Sequence, residues 1–109
     1  MANTYKVLAQ VNPSATTPTT LYTCGSASGA VISTITVCNQ AASAGTYRIA
    51  VRPAGATLAA QHYVAYDIAI AANDTTALTL GITLSNTDVV TVYSSAATMS
   101  FNAYGSEIA

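Results

Sequence analysis

Charge is what this chain has least of. Lys6, Arg48 and Arg52 are its only cations and Asp67, Asp74, Asp88 and Glu107 its only acids, so 6% of the 109 residues are charged and the formal net charge is -1. An ordinary globular domain carries roughly a quarter. Three cations cannot neutralise the run of phosphates that nucleic-acid binding requires, which argues against nucleic acid as a partner. Long apolar runs are missing as well. The longest, Ile68 to Ala72, falls far short of the ~20 residues of a spanning helix, so no membrane partner is expected. Met1 to Lys6 has no basic block followed by an apolar one, so no secretory signal is read there. The expectation is a chain that works where it is made or leaves the cell within something larger.

Tryptophan is absent, histidine occurs once and cysteine twice. Cys24 and Cys38 do not form a CxxC pair and are too few for a disulfide framework. Two buried or half-buried thiols are the plainer reading. A disulfide stays open only if the strands that carry them are neighbours, and two cysteines with one histidine make a thin zinc set. A catalytic triad would have to be built on His62, which has no recognisable nucleophile context. Asp74 and Asp88 stand in turns, Asn73-Asp74 and Asn86-Thr87-Asp88, where side-chain to backbone hydrogen bonds account for them. Gly25-Ser26-Ala27-Ser28-Gly29 has no lysine and no helix after it, so it is no phosphate loop. No enzyme, cofactor or metal is expected.

What is present is alanine, threonine, serine and seven tyrosines, in a composition that is 51% hydrophobic. That is too apolar, with too little net charge, for disorder, and the length suits one domain. Short runs rich in β-branched residues recur between turn signals. Ala30 to Asn39 is the strongest, with Val31, Ser33, Ile35 and Val37 on one face and Ile32, Thr34, Thr36 and Cys38 on the other. Thr46 to Arg52 points Tyr47, Ile49 and Val51 inward and stops at Pro53-Ala54-Gly55. Gln61 to Ile70 sets His62, Val64, Tyr66, Ile68 and Ile70 opposite Tyr63, Ala65, Asp67 and Ala69. Thr75 to Leu84 aligns Leu78, Leu80, Ile82 and Leu84, which reads as a core strand. Leu21 to Cys24, Val89 to Ser94 and Met99 to Tyr104 complete the body.

No segment reads as a helix. About seven or eight short strands with turns at roughly 8–12 residue spacing predict an all-β fold, an antiparallel β-sandwich or jelly roll. The expected organisation is an N-terminal arm or edge strand with its linker over 1–20, including Thr4 to Val11 and the proline-bearing Asn12 to Thr20, and a sandwich domain over 21–109.

A surface this poor in charge has little electrostatic protection against association, and tyrosine suits places that a partner covers. Partner contact is therefore expected at Tyr5 and Lys6 in the N-terminal segment, at Arg48 and Arg52, and at Tyr63. The two arginines are about 13–14 Å apart on the outward side of one strand, with Ala50 between them. Asp67 is a candidate partner for either.

Taken together, Leu21-Tyr22-Thr23, Ile35-Thr36-Val37-Cys38-Asn39, Tyr47-Arg48-Ile49-Ala50-Val51-Arg52-Pro53, Gln61-His62-Tyr63-Val64-Ala65-Tyr66-Asp67, Ile70-Ala71-Ala72-Asn73-Asp74-Thr75 and Phe101-Asn102-Ala103-Tyr104-Gly105-Ser106-Glu107-Ile108 resemble small virion structural proteins of tailed phages that infect cyanobacteria and other aquatic bacteria. The resemblance spans Leu21 to Ala109, and Cys24 stands where that family has an aliphatic residue. It implies a non-enzymatic, β-rich component of the virion, assembled in the host cytoplasm. The first expectation is a capsid decoration or cement protein on the major capsid protein or another virion protein. It would act as a homo-oligomer, a trimer suiting the local threefold axes of a shell. The alternative is a neck, tail or fibre component that binds a receptor or glycan through tyrosine faces such as Tyr63 and Tyr66.

Overall fold

Alternation of β-branched and small residues makes extended chain, and the turn residues cut it into eight strands. The computed structural model describes residues 3–108; Met1, Ala2 and Ala109, at the outer ends of the two expected segments, lie outside the described residues. The strands are β1 (Thr4–Val11), β2 (Thr19–Thr23), β3 (Ala30–Asn39), β4 (Gly45–Arg52), β5 (Tyr63–Ile70), β6 (Thr75–Leu84), β7 (Val89–Ser94) and β8 (Met99–Glu107). Two single 3-10 turns, Pro53–Gly55 and Ala60–His62, lie between β4 and β5. All pairings are antiparallel and form two four-stranded sheets, β1-β8-β3-β6 and β2-β7-β4-β5. Thr4–Val11 is paired with β8 along its length as an edge strand.

One apolar cluster draws on both sheets. Ile32, Ile35, Val37, Phe101 and Ala103 come from the first, and Tyr47, Ile49, Val90 and Val92 from the second. Tyr47 and Phe101 meet edge to face at 6.2 Å, the arrangement that ring quadrupoles favour. Cys24 and Cys38 are free thiols. They belong to different layers, Cys24 in the core after β2 and Cys38 on β3 of the other sheet, so no shared ladder brings them together.

Strict alternation is broken at one level across the first sheet. The register shifts between Val7 and Ala9 on β1 and between Ile32 and Thr34 on β3, and the β3–β6 pairing jumps from Ile82 to Thr79. Gly81 sits in that jump at φ +63. An extra residue in a strand reverses the facing of everything beyond it. Ala30 and Ile32 therefore face inward before the shift on β3, and Ile35 and Val37 after it, so both apolar sets are buried. This corrects the two opposed faces read from the sequence. β6 lies at the other edge of this sheet, and its expected core face holds in part: Leu84 is buried and Leu78 and Ile82 pack against the core, while Leu80, at the kink, is 44% exposed.

Turn chemistry is as the residue types suggest. Asp74 Oδ1 accepts from the Thr75 N–H. Asp88 accepts from the backbone N–H of Ser85 and of Ala54, both at 2.9 Å, and so ties the β6–β7 turn to the segment after β4.

Candidate aromatic and arginine site on the second sheet

β4 turns Tyr47 and Ile49 into the core, which sends Arg48, Ala50 and Arg52 to the outer face. On one side Arg48 pairs with Tyr93 of β7. On the other, β5 carries a bulge. Tyr47 pairs with Ile68 and Ile49 with Ala65, so the single residue Arg48 faces both Tyr66 and Asp67. Asp67 absorbs the extra residue at φ +49, a left-handed conformation that aspartate tolerates better than most side chains. The bulge sends Val64 and Tyr66 outward and leaves Ile70 buried, where the sequence reading had them share a face.

Three side chains converge on Arg48 in consequence. Its guanidinium carbon lies 4.2 Å from the centroid of the Tyr66 ring and 4.2 Å from that of Tyr93. Its Nε donates to Asp67 Oδ1 at 2.6 Å and its Nη2 to Oδ2 at 3.3 Å. The planar fork of arginine suits both contacts, stacking through its faces and bonding through its edge. The hydrogen bond to Asp67 pushes the Arg48 pKa up, against a smaller opposing effect of desolvation.

Arg52 holds structure rather than standing free. Its Nε donates to Thr91 Oγ1 at 3.0 Å and its Nη1 to the Ala56 carbonyl at 3.1 Å, which draws the segment after β4 back over the sheet. Outward-facing Ala50, which pairs with Tyr63 on one side and Thr91 on the other, is 1% exposed. Further along, the Ala59 N–H donates to His62 Nδ1 at 3.0 Å and the His62 N–H to the Ala59 carbonyl at 3.1 Å. This reciprocal pair closes a tight loop that stands Leu58, Ala59 and Ala60 opposite Tyr63 and Tyr66, and the five line a groove of about 660 Å³. The Tyr63 and Tyr66 rings are 4.9 Å apart and nearly perpendicular, at 84°.

Of the five residues expected at a contact, Arg48, Arg52 and Tyr63 share this face. Tyr5 and Lys6 lie on β1 in the other sheet. Tyr5 points outward and is 80% exposed, whereas Lys6 Nζ is bound to Glu107 Oε1 at 2.8 Å. Tyr93 and Leu58 were not singled out from the sequence, and Tyr66 was named with Tyr63 as a face for a glycan, not as a partner of Arg48. An aspartate within a strand pattern, at Asp67, was the available sign of a bulge there. Among the described residues no group of three or more His, Cys, Asp or Glu is placed to hold a metal ion, and no helix is long and apolar enough to cross a membrane. No protein-family model, curated protein or solved structure matches this chain.

Proposed function

We propose that this chain is a non-enzymatic virion structural protein of a tailed phage, a decoration or cement protein that binds the outside of the major capsid protein shell and stabilises it. The finer reading of the fold that accompanies this proposal is a jelly-roll sandwich, supported by the strand order of the two sheets, an architecture common to viral capsid and lectin domains.

The observation that carries the proposal is the β6 edge. Soluble proteins blunt a free edge with charged residues, proline, a bulge or a very short strand, and in β6 the kink at Gly81 does so only beyond Thr79. Over its ten residues, Thr75–Leu84, β6 has no charged residue and no proline, and it pairs in regular register with β3 from Thr75 to Thr79. Its kink at Gly81 leaves Leu80 exposed. Such an edge is suited to being covered by another chain, a neighbouring copy in a trimer or the shell itself.

The test is co-sedimentation of the purified protein with phage heads that lack it, together with the heat resistance of the loaded heads. Saturable binding at a lattice copy number, with heads that survive higher temperature, is expected. Ala77→Lys and Leu80→Lys place charge on the edge at exposed positions and should abolish binding while the circular dichroism spectrum is unchanged. Binding to tails or necks but not to heads would overturn the cement role in favour of a neck, tail or fibre component.

A further inference from the structure

We propose that β6 is covered by β6 of a second copy, the two strands running antiparallel about a twofold axis at Ala77. The inference rests on the reading of β6 as a covered edge, and it names the covering chain and makes the relation twofold rather than threefold. Among the described strands, three of the four sheet edges are broken. β1 carries Lys6 and shifts register after Val7, β2 shifts between Thr20 and Tyr22, and β5 is bulged at Asp67 and shifts again between Ala65 and Tyr63. Charges and bulges of this kind discourage further pairing. β6 offers five residues in unbroken register, Thr75 to Thr79, none of them charged.

The backbone alternation fixes which groups face the open side. The Asn39 N–H donates to the Asp74 carbonyl, in the register that pairs Cys38 with Thr75. Thr76 and Leu78 therefore bond to β3, while Thr75, Ala77 and Thr79 turn their backbone groups away from it. Asp74 Oδ1 takes the Thr75 N–H, which leaves the Thr75 carbonyl and both groups of Ala77 and Thr79. A ladder centred on Ala77 bonds the two Ala77 residues to each other and sets each Thr79 N–H against the other copy's Thr75 carbonyl. The side chains match in that same register. Alanine meets alanine and threonine meets threonine on the outer face, and Thr76 meets Leu78 on the inner one, with no like charges opposed.

An apolar seam runs along the same side of the sandwich. Ile68 pairs with buried Tyr47 and so points between the sheets, yet it is 42% exposed. β5 ends its sheet as β6 ends the other, and only the turn 71–74 joins them. Leu80, 44% exposed, follows Thr79. A copy paired through β6 covers this seam, which adds apolar burial to the backbone bonds. The contact is isologous, so it closes at two copies. The β6 lysine variants then lose shell binding by losing bivalency.

The test is sedimentation equilibrium of the purified chain, with no phage heads present, together with disulfide trapping. A dimer is expected. Ala77→Lys sets two lysines opposite each other and should raise the dissociation constant by about tenfold or more, with the circular dichroism spectrum unchanged. Ala77→Cys should give a linked dimer with copper phenanthroline as oxidant, since the α carbons of a hydrogen-bonded pair stand about 5.5 Å apart. In Thr75→Cys the two thiols are about 13 Å apart along the strand and should not link. The natural chain is the control for Cys24 and Cys38. A monomer at every concentration, a trimer or open polymer, or equal linking of the two cysteine variants would overturn the proposal. A dimer that does not sediment with heads would support the pairing and remove the cement role, whereas a monomer that binds heads through β6 would do the reverse.

Discussion

Tyr22 and Glu107 join the two sheets at one end. The Tyr22 hydroxyl, on β2, donates to Glu107 Oε2 on β8 at 2.6 Å, while Lys6 of β1 holds Oε1 at 2.8 Å. The carboxyl is kept below its usual range by the Lys6 hydrogen bond first and by Tyr22 second, and burial together with Glu107 pushes the Tyr22 hydroxyl up.

A carboxyl with a depressed folded pKa stabilises fully above its unfolded value, about 4.3, and loses that contribution as pH falls through the lower folded value. Urea unfolding midpoints measured against pH should therefore fall faster for the natural chain than for Glu107→Gln below about pH 4. Parallel curves would show that the carboxylate adds nothing. Tyr22→Phe should cost roughly 1.5–3 kcal/mol, the worth of a hydrogen bond to a charged group.

Asn39 is 1% exposed and holds two loops at once, the one after β3 and the one after β5. Its amide donates to the Ser43 and Ala71 carbonyls, and its oxygen accepts from the Ala41 N–H. Asn39→Leu would leave buried backbone groups unpaired, and a loss of roughly 2–4 kcal/mol is expected in chemical denaturation. A loss under about 0.5 kcal/mol, the scale of a neutral surface change, would mean that water replaces the side chain.

Two glycines on the first sheet should respond differently to alanine. A Cβ at Gly105 would overlap the Val31 carbonyl oxygen and crowd the Ile32 backbone, both in the neighbouring strand, whereas one at Gly81 would meet nothing within 4 Å. Gly81 is held instead by its φ of +63. Gly105→Ala is expected to prevent folding or cost more than about 3 kcal/mol. Gly81→Ala should cost roughly 1–2 kcal/mol, the penalty of a left-handed residue. Thermal melts of both variants decide it, and equal losses would contradict the distinction.

Thr87 adopts φ +72 in the β6–β7 turn, and its exposed side chain is β-branched. Asparagine accepts that conformation more readily, and the Thr87 N–H can still donate to the Cys24 carbonyl. Thr87→Asn should raise stability by about 0.5–1 kcal/mol, seen as a higher melting temperature. A lower one would mean that the threonine methyl or hydroxyl makes a stabilising contact.

Strand positions were legible in the sequence because alternation and turn residues act locally. Thr4–Val11, Ala30–Asn39, Thr75–Leu84 and Val89–Ser94 have the ends that their residue patterns indicate. Facing was less legible, since one extra residue at Ser33, Leu80 or Asp67 inverts it without disturbing the composition. The pairing of Arg48 with Asp67 was among the possibilities that the residues themselves raised. The stacking of Arg48 on Tyr93 was not, because it depends on β4 lying beside β7, a long-range choice that neither strand encodes alone. Tyr66 was grouped with Ile68 and Ile70 for want of the bulge.

The kink across the first sheet also bears on how a chain of such plain vocabulary finds one partner alignment. Threonine alternates with apolar residues so evenly along β3 and β6 that alternation alone would tolerate a slide of β3 by two residues against its neighbours. Gly105 closes off that freedom. Only glycine can lie against the Val31 carbonyl, so a slipped β8 would bring Ala103 or Glu107, each with a Cβ, to the one place that has no room for it. The kink works as a key cut for a single notch, rejecting near-miss alignments that hydrophobic burial alone would accept.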